Sequence, residues 1–466
     1  MVIESRRAKD LLVEEKRMDL LKDVDPNYVE TLLSNELRQM NFKERDEMQE
    51  ELHGVRTLAK EETLEMIESS MRRLEKELRN IPKKKAYDEA QQHPNTYVNT
   101  RAFRLRFLRA EVFDEKATAA RIVLFLDMMK EYYGAEALVR PPRLSDLGKA
   151  EMDLLKAGGM QILPSCDRSG RRIVVFIGAH GKGYSVYSRI KLDLFFAWCI
   201  SEDEQTQKNG IAFLTWATSE TIEVVGDQED RPESQRLFMA IPTRMVACHI
   251  CIPPEPIFRF LSSLMLLILG REGRRMTRIH CGMPVELIYS LMAFGISADQ
   301  IPVTSTGTIK TKNHLLWMKF VKEKEIAELQ GIEFDGVEYP RANDVLFSMG
   351  RHAWDHPGYC MFRALLEEHY DRHNAASSLD EKLSITWEVV EKVEKGGGRF
   401  LTRDNRGWWV EIKDRGVIRG KVALAFRNHT KRVVAQRNLQ ETESTAVPFD
   451  EREAKRRKGD GRNCFS

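Results

Sequence analysis

RRIVVFIGA, residues 171–179, is an unbroken apolar run rich in Val and Ile, and two more like it follow. GIAFLTWAT (210–218) and RMVACHICI (244–252) repeat its texture, and MTRIHCG (276–282) is a weaker fourth. Short runs without polar alternation suit strands buried on both faces, as in a mostly parallel sheet. Helix-like stretches stand beside them: LDLFFAWCI (192–200), SQRLFMAI (234–241), and PVELIYSLMAFG (284–295), which Gly295 stops. Strand alternating with helix predicts an α/β layer joined by right-handed crossovers.

Outward from this block the texture changes. Residues 1–95 are rich in Glu, Lys, Arg, Leu and Met. Leu64, Ile67, Met71, Leu74 and Leu78 recur at three- and four-residue spacing, which marks one face of a helix with charge on the others. The expectation is a charged helical extension packed on the domain that follows. RAFRLRFLRAEVFDEKATAARIVLFLDMMKEYYG (101–134) carries two helical stripes split at Val112-Phe113-Asp114. Asp114 is placed to cap the second, with Ala117, Ile122, Leu126 and Met129 facing inward.

The chain has 466 residues, 42% hydrophobic and 31% charged, enough for two or three domains with real cores. A net charge of +2 supplies no global field toward nucleic acid or anionic lipid. Seven cysteines without framework spacing read as free thiols in a reducing compartment. MVIESRRAKD is too charged for a secretory signal. The greasiest stretch, IFRFLSSLMLLILG (257–270), includes Arg259 and falls short of the about 20 apolar residues that a bilayer crossing needs. The expected location is the cytoplasm, peripheral at membranes. Lys455-Arg456-Arg457-Lys458, in a polar basic tail over 431–466 expected to be disordered, leaves the nucleus as the alternative.

Catalytic and metal motifs fail on inspection. Cys248-His249-Ile250-Cys251 has CxxC spacing near His280-Cys281, but an odd offset aims the two cysteines to opposite faces of a strand. HGKGYS (180–185) lacks the glycine-lysine-hydroxyl spacing of a phosphate loop. The chain reads as a non-enzyme without a metal.

RLRFLRAEVFDEKATAARIVLFLDMMKEYYG resembles the helical module that precedes a CRAL-TRIO lipid-binding domain, and DRSGRRIVVF (167–176) resembles that family's first strand with its Asp-x-x-Gly-Arg turn. The remaining elements follow in the family's order to about residue 318, giving a helical module over 100–135 and a lipid-binding domain over 150–320. The resemblance implies a mostly parallel sheet flanked by helices that enclose a lipid pocket, closed by a mobile helix between the third and fourth main strands. IFRFLSSLMLLILG occupies that slot. The implied pocket residues are Phe176, Phe213, Trp216 and Ile250 from strands, and Phe258, Leu261, Leu264 and Met265 from the gate helix. Arg271, Arg274 and Arg275 would then meet lipid headgroups or a membrane surface as the gate opens. The implied function is binding, and transfer or presentation, of one hydrophobic lipid, with no cofactor besides that lipid. ISADQIPVTSTG (296–307) keeps Ile301-Pro302 and Gly307 but lacks the family's acidic residue and paired glycines, so the headgroup stays open.

NDVLFSMGRHAWDHPGYCMFRALLEEHY (343–370) and GGGRFLTRDNRGWWVEI (396–412) resemble a domain of unknown function common in diatom proteins, over 341–430. Helical stripes at Phe362, Leu365, Leu366, His369 and at Leu383, Trp387, Val390, Val393, with a hairpin at Phe400-Leu401 and Trp408-Trp409-Val410, predict a small α+β unit. Interleaved Arg and aromatics raise nucleic acid as a partner, but acidic residues through 367–394 offset them and rank it behind a protein partner or a scaffold role. The alternative function is a regulatory adaptor: an empty CRAL-TRIO-like domain, with a protein partner held through 1–95 or 341–430.

Overall fold

The computed structural model describes residues 26–55, 57, 59–178, 180–218, 231–268, 271–348 and 351–445. The chain forms two compact units: Met1–Ala342 with Asp404–Trp409, and Asn343–Arg403 with Val410–Ser466.

The first unit opens with helices α1 (Pro26–Arg38) and α2 (Phe42–Leu52). A reciprocal cap starts α2: Glu44 N–H donates to Asn41 Oδ1 at 2.9 Å and Asn41 N–H to Glu44 Oε2 at 3.0 Å. In α3 (Leu64–Asn80) the apolar spacing becomes a buried stripe, with Ile67, Leu74 and Leu78 inside and Met71 packed beside them. Leu64, on the first turn, stays 73% exposed. After α4 (Lys85–Ala90) come α5 (Arg101–Ala110) and α6 (Glu115–Tyr133). Between them Val112 and Phe113 take positive φ of 49° and 62°, and Asp114 Oδ1 then accepts the Ala117 N–H at 2.9 Å. Ile122, Leu126 and Met129 are buried as the spacing predicts, and Ala117 is half-buried.

Helix α7 (Lys149–Ala157) leads into a five-stranded sheet: β1 (Met160–Ile162), β2 (Arg172–Ile177), β3 (Ile211–Trp216), β4 (Met245–Ile252) and β5 (Thr277–Cys281). Spatial order follows chain order, β1 being antiparallel to β2 and the other neighbours parallel. The crossovers are α8 (Val186–Ile200) with α9 (Glu204–Asn209), then α10 (Arg231–Ala240), then α11 (Pro256–Ile268) with α12 (Arg271–Met276). Parallel strands laid down in sequence, with one hand of crossover, place every crossover on the same face. That face carries Val174, Phe176, Ile211, Phe213 and Cys248 against Phe195 and Phe196 of α8. The opposite face carries Val175, Leu214, Trp216 and Cys251. Leu287 and Leu291 of α13 (Pro284–Met292), with Ile301 and Val303, cover it. Gly295 turns the chain after α13 at φ +80°, where Ile296 N–H donates to Leu291 O at 3.2 Å. Helix α14 (Lys312–Gln330) follows. The architecture is thus α/β with a mostly parallel sheet. Among the described residues no helix is long and apolar enough to cross a membrane.

The second unit is a small α+β fold: α15 (Arg351–Trp354), α16 (Pro357–Ala375), α17 (Leu379–Lys395) and α18 (Arg415–Thr445), with strands Val345–Leu346 and Phe400–Arg403 paired in parallel. Phe362 and Leu366 meet Val389, Val390 and Val393 in its core. Residues 431–445, expected as the start of a tail, continue α18 because Val422 and Phe426 anchor it in that core. Residues 446–466, including Lys455-Arg456-Arg457-Lys458, lie outside the described residues. Asp344, fully buried, accepts from Arg399 Nη2 at 2.7 Å and from Arg399 N–H at 3.0 Å. A Cβ on Gly358 would stand 2.3 Å from Asp344 O, so Gly358→Ala is expected to cost about 1–3 kcal/mol. Thermal unfolding of the full chain checks this, and an unchanged midpoint would refute the close packing.

Candidate ligand cavity and its helical cover

Phe176 of β2 and Phe213 of β3 share the crossover face, with ring centroids 5.5 Å apart. A cavity of 170 Å³ lies against them. Val174, Ile211 and Met160 of β1 complete its sheet wall, Phe196 and Ala197 of α8 form a second, and Leu237 and Phe238 of α10 a third. The volume is below the about 300–1,000 Å³ of drug-sized ligand pockets but close to the about 150 Å³ that accepts benzene in an engineered core.

Ile250 lies on the same face but in a neighbouring cluster, with Ala217, Ile252 and Phe258 of α11. Cys248 packs against both clusters and so joins the side chains behind the cavity to those beneath α11. Trp216 belongs to neither. It is 3% exposed on the opposite face, in the core under α13. The parity that separates Cys248 from Cys251 also separates Phe213 from Trp216, so the sequence already held the signal. The strand residues named from the resemblance therefore divide three ways. Phe176 and Phe213 line the cavity, Ile250 adjoins it, and Trp216 sits across the sheet.

Phe258 is 5% exposed and seats the start of α11 on Ile250 and Ile252. The side chains of Leu261, Leu264, Met265 and Arg271 lie outside the described residues. Among the described residues, α10 rather than α11 supplies the helix wall of the cavity beside α8. Helix α1 packs against α11. Glu36 of α1 takes Arg274, with Nε 3.1 Å from Oε2, and Arg274 Nη1 donates to Leu266 O at 3.1 Å. Arg274 is thus committed to a half-buried ion pair that ties α1 to α12, while its Nη1 holds the Leu266 carbonyl of α11. Arg275 instead lines an open cleft of 710 Å³ with Glu44, Glu47, Arg121 and Arg244. Arg274 and Arg275 thus have separate settings.

Spacing alone did not find Asp193. It stands in α8 as the one charged residue lining the cavity among the described residues. A lone acid inside the apolar run LDLFFAWCI was the available signal. On the far face, His249 Nδ1 is 3.1 Å from His280 Nε2. Burial, aided by His280, Arg171 and Arg278, pushes His249 down to about 3, and burial lowers His280 as well. The unfolded chain takes up a proton near pH 6.5 while folded His249 does not until about 3. Stability should therefore fall as pH drops through that window, with His249 contributing a slope of up to about 1.4 kcal/mol per pH unit. Urea midpoints between pH 7 and 4.5 check this. His249→Leu should flatten the profile, and an unaltered slope would contradict the assignment. Burial also pushes the Cys248 thiol up to about 11, which leaves it protonated and inert at neutral pH.

The fold and the cavity define an α/β protein with an apolar chamber against one sheet face. A family model described as a domain of unknown function (DUF6824) matches residues 344–428, within the second unit's span and inside the 341–430 read from sequence. The crystal structure of Sfh5 aligns with 58% of this chain and 100% of that chain, at 11% identity and a TM-score of 0.32, a likeness too distant to carry an argument.

Proposed function

We propose that the first unit is a carrier rather than an enzyme, binding one hydrophobic lipid against the crossover face of its sheet. One observation carries this reading: a cavity of 170 Å³ lies on the crossover face between Phe176, Phe213, α8 and α10, and Cys248 joins the side chains behind it to the Ile250–Phe258 cluster beneath α11. A whole lipid exceeds 170 Å³, so the cavity takes one end of it and loading requires α10 or α11 to move. The sequence resemblance to the CRAL-TRIO family supports the same reading, with α11 as the gate. Transfer would work by closure around the lipid and by contact with a membrane when open. Each aliphatic side chain that exchanges water for lipid contributes about 1.5–3 kcal/mol.

In this reading the Glu36–Arg274 pair is a latch on the gate. Glu36→Ala is expected to speed vesicle-to-vesicle transfer of a fluorescent lipid several-fold with little change in melting temperature. Slower or equal transfer would remove the latch from the account. Phe258→Ala tests the reading itself: uptake of the fluorescent lipid should fall at least about tenfold in a folded variant.

A further inference from the structure

Helix α18 carries a charge pattern that the second unit's composition hides. From Arg415 to Gln440 it has seven Lys or Arg and no Asp or Glu. The acids that balance them in the count sit on α16 and α17, where Glu388 holds Arg372 at 2.9 Å and Glu368 holds Lys392 at 2.7 Å. Glu394 takes Arg415, the first residue of α18, at 3.1 Å. Arg419, Lys421, Arg427, Lys431 and Arg432 form no ion pair among the described residues. Ile418, Val422 and Phe426 bury one side of the helix in the core. At 3.6 residues per turn, Arg427 and Lys431 stand on the side away from that core, and both are exposed. Arg419 lies on one flank. Lys421 and Arg432 lie on the other, 5.2 Å from the centre of the Phe347 ring and 4.5 Å from that of Trp354. The stability of the helix does not ask for this arrangement, since Arg427 and Lys431, one turn apart, repel each other.

Independently of the carrier reading, we propose that α18 docks in the major groove of duplex DNA. Arg427 and Lys431 then enter the groove, while Arg419 on one flank and Lys421 and Arg432 on the other meet its two phosphate walls. From Arg415 to Arg432 the helix runs about 26 Å, and the groove, about 12 Å wide, admits a helix. The distribution of charge picks the occupant. A flat anionic bilayer touches one face of a helix and asks for a broad apolar stripe there. The outward aliphatic residues of α18, Val417, Leu424 and Val434, stand singly among the cations instead. A groove bounded by two backbones calls for cations on both flanks, as here. Duplex RNA fails the same geometry, because its major groove is too narrow for side chains to read.

Fluorescence anisotropy of a labelled DNA duplex of about 20 base pairs, titrated with the full chain, tests this. Five phosphate contacts predict that log K falls with log salt at a slope of about −4.5 or steeper. Residues 446–466 hold further basic side chains, so the deciding variant is Arg427→Gln with Lys431→Gln. Both positions are exposed, and the melting temperature should not change. Binding should weaken at least about tenfold, with the salt slope shallower by about 2. Lys382→Gln with Lys395→Gln removes the same charge from α17 and should alter affinity by less than about twofold. Equal losses in the two double variants, or full binding by the first, overturn the assignment to α18. So does a wild-type chain that binds no duplex at about 50 mM salt. Duplex RNA of the same sequence bound as tightly as DNA overturns the groove, and tighter binding to phosphatidylserine vesicles than to DNA overturns the nucleic acid. None of these outcomes alters the carrier reading of the first unit.

Discussion

Arg171→Met is expected to remove about 3–5 kcal/mol from the first unit, a large part of the about 5–15 kcal/mol that keeps a domain folded. Arg171 is 2% exposed, and its Nε donates to Asp167 Oδ2 at 2.6 Å. Its Nη1 donates to Glu51 O and its Nη2 to Leu52 O at 3.3 Å, two carbonyls at the end of α2. Helix-end carbonyls have no partner inside their own helix; Glu51 O also accepts from Gly54 N–H at 3.1 Å, whereas Leu52 O depends on this guanidinium. Asp167 Oδ1 in turn receives the N–H groups of Ser169 and Arg171, both at 3.0 Å. Methionine keeps the packing and deletes the charge, which leaves the buried Asp167 carboxylate without its counter-charge and Leu52 O without its donor. Arg171→Lys should recover only part of the loss, because an ammonium lacks the planar fork that reaches three acceptors. Urea denaturation reads both variants. A loss below about 1 kcal/mol for Arg171→Met would contradict the assignment.

The second large effect is on binding. Ala197 faces the cavity from α8, so Ala197→Phe places a ring in the 170 Å³ that the ligand would use. Uptake of a hydrophobic ligand should be abolished. Stability should hold or rise where the ring fits, and overpacking would cost about 1–3 kcal/mol where it does not. Leu287→Ala is the control on the other sheet face. Leu287 of α13 is 3% exposed against the sheet, and its loss should cost about 2–5 kcal/mol without altering uptake. Full ligand uptake by Ala197→Phe would place the binding site elsewhere.

Much of this fold was legible in the sequence because its signals were periodic and local. The runs at 171–179, 210–218, 244–252 and 276–282 became β2 to β5, since parallel strands covered on both faces need unbroken apolar sequence. Asp114 capped α6, and Gly295 ended the turn after α13, because each role asks for one side-chain or backbone chemistry. Strand β1 was missed: three residues carry no readable period, and its antiparallel pairing is fixed by β2. The extension of α18 to Thr445 was missed because a polar helix anchored only at one end looks like a tail.

The candidate site was less legible, for a reason of dimension. A sequence shows which residues are apolar, and strand phase shows which share a face, but a cavity exists only once two helices and a sheet are placed together. Phe176 and Phe213 were named and do meet, because both are bulky and sit in register-compatible positions on adjacent parallel strands. Trp216 was named with them although its odd offset puts it across the sheet. Arg274 looked like a headgroup contact beside an apolar helix, and its partner Glu36 lies far back in the charged N-terminal stretch. No spacing rule links residues so distant.

The carrier reading is tested most directly by mass spectrometry of the organic extract from the purified full chain. The account expects one hydrophobic molecule per protein in the wild-type extract, depleted in Ala197→Phe and retained in Leu287→Ala. An extract without a stoichiometric hydrophobic molecule, from a wild-type chain that also takes up none when offered lipid vesicles, would contradict it.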